Sequence, residues 1–308
     1  MVSTTTSRSM TALVLIILTL LIKLPAFAEQ ENAHRTTETA YVVQRDIEYA
    51  RVDAHRLLFD LYLPRHGKNW PLVVWIHGGA WRKGSKANMP LKQIVAAGYA
   101  VASIDYRLST TAIFPAQIHD CKAALRFLRA QADVYSYDAT RIAVAGSSAG
   151  GHLAALVGTT NGHKQLEGSL GNCREQSAAV QAIVDYYGPT NFETILKQST
   201  PHGLGVRVPA LELLLGGSLE EKKDMARLAS PVQHVDADDP PLLIFHGDQD
   251  PQVPINQSHE LQARYQASGL PVQFEVVHGA AHGGDAFYDP SRISKVKAFL
   301  DQQIAAPR

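Results

Sequence analysis

The sequence is short of cysteine, carries no excess of charge, and has no apolar run long enough to cross a bilayer. Each shortage removes a class of protein. Lysine plus arginine number 29 and aspartate plus glutamate also 29, so no net field draws the chain to nucleic acid or to an anionic membrane. It has no block of like charge, no internal repeat and no low-complexity stretch, which argues against a polyanion-binding role. The apolar run from Ala12 to Ile22 is well short of the roughly 20 residues that span a bilayer, so stable membrane insertion is not expected. The two cysteines, Cys121 and Cys173, allow one bridge at most. An oxidising compartment permits it. However, Cys121 shares a helical stripe with Ile118, Leu125 and Leu128, which suits a small buried apolar residue equally well.

The N-terminus does carry a signal. Arg8 precedes the apolar run, which is followed by Lys23, Pro25 and the small-residue pattern Ala26-Phe27-Ala28. That is the layout of a secretory signal peptide spanning residues 1–28, with cleavage after Ala28 and a periplasmic or extracellular destination. A polar lead-in at 29–39 follows, and a single folded domain is expected over 40–308.

Within that domain strand-like and helix-like segments alternate. Val42–Tyr49, Leu57–Leu63, Leu72–Ile76, Ala100–Tyr106, Ile142–Ala145, Ala179–Tyr186, Pro241–Phe245 and Val272–Val277 read as strands, several of them continuous apolar runs suited to burial on both faces. Pro90–Ala97, Ala116–Ala130, Ala149–Gly158, Gln257–Ser268 and Arg292–Gln303 read as helices, with Gly269 as a C-terminal cap. This order predicts an α/β fold with a mostly parallel sheet covered on both faces. Residues 189–229 are too long for a simple crossover. They hold a Gly-, Pro- and His-rich loop from Pro201 to Pro209 and a leucine cluster at Leu211 to Leu215, and read as a small lid insertion.

Four motifs lie just past strand ends. Gly146-Ser147-Ser148-Ala149-Gly150 sits between a strand and a helix, the context in which G-x-S-x-G marks a sharp turn presenting a nucleophile. The glycine spacing centres that turn on Ser148, with Ser147 as the rival. His77-Gly78-Gly79-Ala80-Trp81 offers the backbone N–H groups of Gly78 and Gly79 to an oxyanion, joined by that of Ala149. His77 is expected to brace the loop, and Trp81 either walls the acyl site or packs in the interior. Asp248 and Asp250 are candidate acids after Phe245, with Asp185 a third. His278 and His282 follow Val277, and His282, in a small-residue loop, is better placed to reach over the nucleophile. As metal ligands the two lack a helix and a third partner, so no metal or other cofactor is expected.

With these residues in place, the chain resembles the esterase/lipase branch of the α/β-hydrolases, related to the hormone-sensitive-lipase group. Within it the chain is most similar to short members that include acetyl-xylan and feruloyl esterases. The resemblance rests on His77-Gly78-Gly79, Asp105-Tyr106-Arg107-Leu108, Gly146 to His152, Tyr187-Gly188-Pro189, His246 to Pro254 and Gly279 to Gly283. It implies an α/β-hydrolase fold and a Ser148–His282–Asp250 triad, with Asp250 rather than Asp248 as the acid. It also implies a small-molecule or polysaccharide ester as substrate, and a cysteine at position 121 without a bridge. Two departures bear on substrate: the N-terminal helical cap of the larger relatives has no room here, and Ser147 stands where many relatives have Asp. An amidase resembling arylformamidases, a peptidase resembling prolyl oligopeptidases and a non-catalytic binding module are the alternatives.

Overall fold

A computed structural model of the chain describes residues 1–3 and 40–304, and every element named below belongs to the unit Thr39–Arg308. The expected cleavage point and the polar lead-in lie outside the described residues. All eight expected strands form: β1 (Tyr41–Val52), β2 (His55–Pro64), β3 (Trp70–Ile76), β4 (Ala100–Ile104), β5 (Tyr137–Ser147), β6 (Ala182–Tyr186), β7 (Leu242–Gly247) and β8 (Val272–Val277). They make one sheet in the order β1-β2-β4-β3-β5-β6-β7-β8. β2 pairs antiparallel with β1 and β4, and all later pairings are parallel.

Among the described residues, nine α-helices lie between the strands and a tenth follows β8. In the first half they are α1 (Lys92–Ala96), α2 (Ala116–Ala130), α3 (Ala132–Tyr135), α4 (Ala149–Gly158) and α5 (Lys164–Glu167). The second half adds α6 (Ile195–Gln198), α7 (Pro201–Leu215), α8 (Lys223–Leu228), α9 (Asn256–Ala267) and α10 (Pro290–Ile304). Because side chains alternate across a strand, the run at β3 divides between two cores. Leu72, Val74 and Ile76 pack with Leu125 and Leu128 of α2 and Leu153 and Leu156 of α4. Val73 and Trp75 turn the other way, to Ile94 of α1 and Val296 and Leu300 of α10. α4, which follows the candidate nucleophile, is buried along its whole length, as an all-round apolar helix must be.

One expectation needs adjustment. Pro201–Pro209 is not a loop but the larger part of α7. Thr200 caps this helix by accepting the Gly203 N–H at 3.1 Å, Pro201 occupies its first turn, and Gly216 closes it at φ 72°. Interior glycines and Pro209 argue locally against a helix, but burial of Ala210, Leu211, Leu214 and Leu215 outweighs that bias. Cys121 and Cys173 are both free thiols, the first buried in the core. Gly269 adopts φ 72° after α9, as its expected capping role requires.

Candidate active site

Parallel pairing brings the motifs together. β3 and β5 run side by side with Ile76 opposite Gly146, so the His77 loop and the Ser148 turn leave the sheet at the same edge. β7 and β8 pair likewise with Gly247 opposite Val277, which sends the Asp250 and His282 loops out together.

The Ser148 turn is steep. Ser148 has φ 54° and ψ −117°, a conformation that costs a non-glycine residue about 1–3 kcal/mol and persists only where the surroundings over-determine it. Those surroundings are tight. A Cβ at Gly146 would lie 2.2 Å from the Gly150 carbonyl oxygen, and one at Gly150 would lie 2.0 Å from that of Ile76. The Ser148 N–H donates to the Tyr186 carbonyl at 2.8 Å, fixing the turn against β6.

Three side chains from three loops form one chain of hydrogen bonds. Ser148 Oγ lies 2.8 Å from His282 Nε2, and His282 Nδ1 lies 2.6 Å from Asp250 Oδ2. Since the carboxylate only accepts, Nδ1 carries the proton and Nε2 faces the serine hydroxyl as acceptor. Asp250 Oδ1 accepts the N–H groups of Gln252 at 2.8 Å and Val253 at 2.9 Å. His246 approaches Asp250 Oδ2 at 3.3 Å. Burial opposes the charge on Asp250, but hydrogen bonding from His246, His282 and the Val253 N–H outweighs it and holds the carboxyl well below the usual range.

The rival residues go elsewhere. Asp248 binds the exposed His278 ring at 2.8 Å and the Gly279 N–H at 2.8 Å, so it braces a surface loop. Asp185 is fully buried, accepts the Gly188 N–H at 2.8 Å, and is pushed up to about 6 by desolvation. The Ser147 hydroxyl turns toward Tyr187 and Tyr288. His278 and His282 face different carboxylates rather than a common centre.

Gly78 sits against the nucleophile, where a Cβ would be 2.8 Å from the Ser147 carbonyl oxygen and 3.3 Å from Ser148 Cβ. Gly79 has φ 110°. No backbone carbonyl takes the N–H of either glycine among the described residues. His77 braces this loop as expected: its Nδ1 is 2.7 Å from the Gly78 oxygen and its ring stacks on Tyr106 with centroids 4.5 Å apart. Trp81 resolves toward packing. It is fully buried and donates through Nε1 to His152 Nδ1 at 3.1 Å. Above the site opens a cleft of about 910 Å³ lined by Gly78, Gly79, Ser148 and His282, and by His202 and Arg207 of α7. Two contributors had gone unread in the sequence. His246 is known there only as part of a turn motif, and Arg207 falls within the stretch read as loop.

Comparison with known proteins bears on the family and the fold. The profile of the BD-FAE family matches residues 59–265. Esterase LipC of Mycobacterium tuberculosis is 36% identical over 70% of this chain and 53% of its own length. The isoprenylcysteine alpha-carbonyl methylesterase ICME of Arabidopsis thaliana is 30% identical over 84% of this chain and 61% of its own. The chain spans about half the length of the first curated relatives it matches. Among solved structures, a truncated carbohydrate esterase from gut microbiota superposes with a TM-score of 0.77 at 34% identity, covering 87% of this chain and 99% of that one. Est2 of Thermogutta terrifontis with propionate bound gives 0.70 at 24% identity, over 87% of this chain and 97% of its own, and shares the fold.

Proposed function

We infer the activity from one premise: this chain belongs to the BD-FAE family and has the α/β-hydrolase fold. It hydrolyses carboxylic esters through an acyl-enzyme on Ser148. The observation that carries this reading is the His282 ring held between Asp250 at 2.6 Å and Ser148 at 2.8 Å, beneath an open cleft. His282 takes the Ser148 proton as Oγ attacks the ester carbonyl, and Asp250 holds the ring in the required tautomer and stabilises its charge. The oxyanion is met by the N–H groups of Gly78, Gly79 and Ala149, the last at the N-terminus of α4. The protonated ring then delivers its proton to the departing alcohol, and a water activated by the same nitrogen frees the acid.

The substrates are esters of acetyl or other short acyl groups, or of feruloyl groups, with a bulky alcohol portion. That choice is supported by the likeness to a protein named as a carbohydrate esterase. The secretory pattern in residues 1–28 supports a site of action outside the cytoplasm.

The test is a p-nitrophenyl ester series together with acetylated xylan, methyl ferulate and N-formylkynurenine. Activity is expected to peak at short acyl chains. Ser148→Ala should abolish both turnover and labelling by a fluorophosphonate, with a loss of about a million-fold. Ser147→Ala should keep most of the activity. A formamide cleaved far faster than any ester, or the two serine results reversed, would overturn the reading.

A further inference from the structure

The cleft over Ser148 is lined by Arg82, Lys83 and Arg207 and by no aspartate or glutamate. The chain as a whole is neutral, with 29 basic and 29 acidic residues, so this is a local concentration of positive charge. Arg207 is its innermost member. It projects from the lid helix α7, is 1% exposed, and its Nε and Nη1 meet no acceptor among the described residues. The guanidinium lies 5.9 Å from the centre of the Trp81 ring, a contact that returns part of the lost hydration but takes up none of the N–H donors. The nearest acid of the catalytic chain, Asp250, already spends its oxygens on His282, His246 and two backbone N–H groups. Burial draws the Arg207 guanidinium down to about 10, which leaves it charged at neutral pH.

Asp250 favours the Arg207 charge through space but accepts none of its N–H groups, and buried donors of a cation left without an acceptor are costly. Among the described residues every charged group lining the cleft has the same sign, which directs the free donors of Arg207 to an acceptor on a bound molecule. It shares the cleft with the reacting serine, so it arrives on the substrate. A planar guanidinium with free N–H donors matches a carboxylate in shape and charge.

We propose that this enzyme selects esters that carry a carboxylate, and that Arg207 binds that carboxylate while Arg82 and Lys83 draw it into the cleft. The inference rests on the esterase reading above and narrows its substrate class. Arg207 is thus a specificity residue rather than part of the bond-breaking machinery.

Two matched pairs of esters test it and separate the possible positions of the charge. For the acyl side, p-nitrophenyl hydrogen glutarate is compared with its methyl ester. For the alcohol side, p-acetoxybenzoate is compared with p-acetoxybenzamide. At least one charged member should exceed its neutral partner by about tenfold or more in kcat/KM, chiefly through KM. Arg207→Gln should bring that ratio close to one, chiefly by raising KM for the charged member, and Arg207→Lys should recover part of it. Should Arg207→Gln fail to fold, the unaltered enzyme answers: benzoate should inhibit p-nitrophenyl acetate hydrolysis far better than benzamide, and added salt should weaken the difference. Equal handling of both pairs by an enzyme that still cleaves p-nitrophenyl acetate overturns the carboxylate site and leaves the esterase reading intact. No turnover of any ester removes both.

Discussion

Asp248 and Asp250 leave the same strand two positions apart and end on different histidines. Asp250 points inward, where its side chain is fully buried and takes four contacts, from His246, His282 and the N–H groups of Gln252 and Val253. Asp248 points to the surface and pairs with His278, whose side chain is 84% exposed. Replacing Asp250 by Asn removes the acceptor facing His282 Nδ1 and offers a donor in its place, which favours the wrong ring tautomer. A loss of kcat on the order of 10⁴ is expected, the size associated with that exchange in serine-protease triads. Asp248→Asn should leave kcat/KM near the unaltered value, because nothing it touches reaches Ser148. Steady-state kinetics of the two purified variants decide the matter. Equal, mild losses from both would mean that another carboxylate, Asp185 foremost, orients the base.

At the scale of elements, glycine has opposite meanings in the Ser148 turn and in α7. Gly150 is forced by contact, since a Cβ there would stand 2.0 Å from the Ile76 carbonyl oxygen. Gly205 is free of it, with nothing within 4 Å of an added Cβ. Gly205→Ala should therefore raise the unfolding free energy by about 0.5–1 kcal/mol in urea titration, the usual return on removing an interior helical glycine. Gly150→Ala should instead yield protein that is misfolded or does not react with a fluorophosphonate. Comparable stability for the two variants would contradict the packing of the turn. The same contrast explains what was legible in the sequence. The strands announce themselves as unbroken apolar runs, and the catalytic motifs follow their ends, so eight strands and the residues of the candidate triad are readable without coordinates. α7 hides behind Gly203, Gly205 and Pro209, each a poor helix residue, and Pro209 lacks the N–H that the Gly205 carbonyl would take. What rescues it is burial of its leucines against the core, a tertiary fact that no local pattern carries. Arg207 is hidden for the same reason, because an arginine in sequence gives no sign that it will be buried without an acceptor.

At the scale of the whole molecule, folding buries carboxylates whose environments pull in opposite directions, and this sets how stability responds to pH. Asp250 is held below the usual range by its hydrogen bonds, in spite of burial. Its contribution is present above the unfolded carboxylate pKa and is lost as pH falls through and below it. Asp185 is the reverse case. Desolvation raises it from 3.8 to about 6, and one of its oxygens, Oδ2, has no partner. Between those values the folded chain holds a proton that the unfolded chain has released. Its contribution is therefore most favourable below pH 4 and declines as pH rises to 6, after which it is constant. Asp239, pushed up to about 7 chiefly by desolvation, acts in the same direction. Asn at position 185 keeps the carbonyl oxygen that receives the Gly188 N–H and puts its amide where the unpartnered oxygen stood. The stability of Asp185→Asn relative to the unaltered protein should thus rise between pH 4 and pH 7 by up to about 3 kcal/mol, two pKa units at roughly 1.4 kcal/mol each. Denaturant titrations of both proteins at several pH values across that window measure the difference. A difference that stays flat would mean that Asp185 ionises alike in the folded and unfolded chain. One that falls with pH would mean that the carboxylate, rather than the acid, is the form the interior holds.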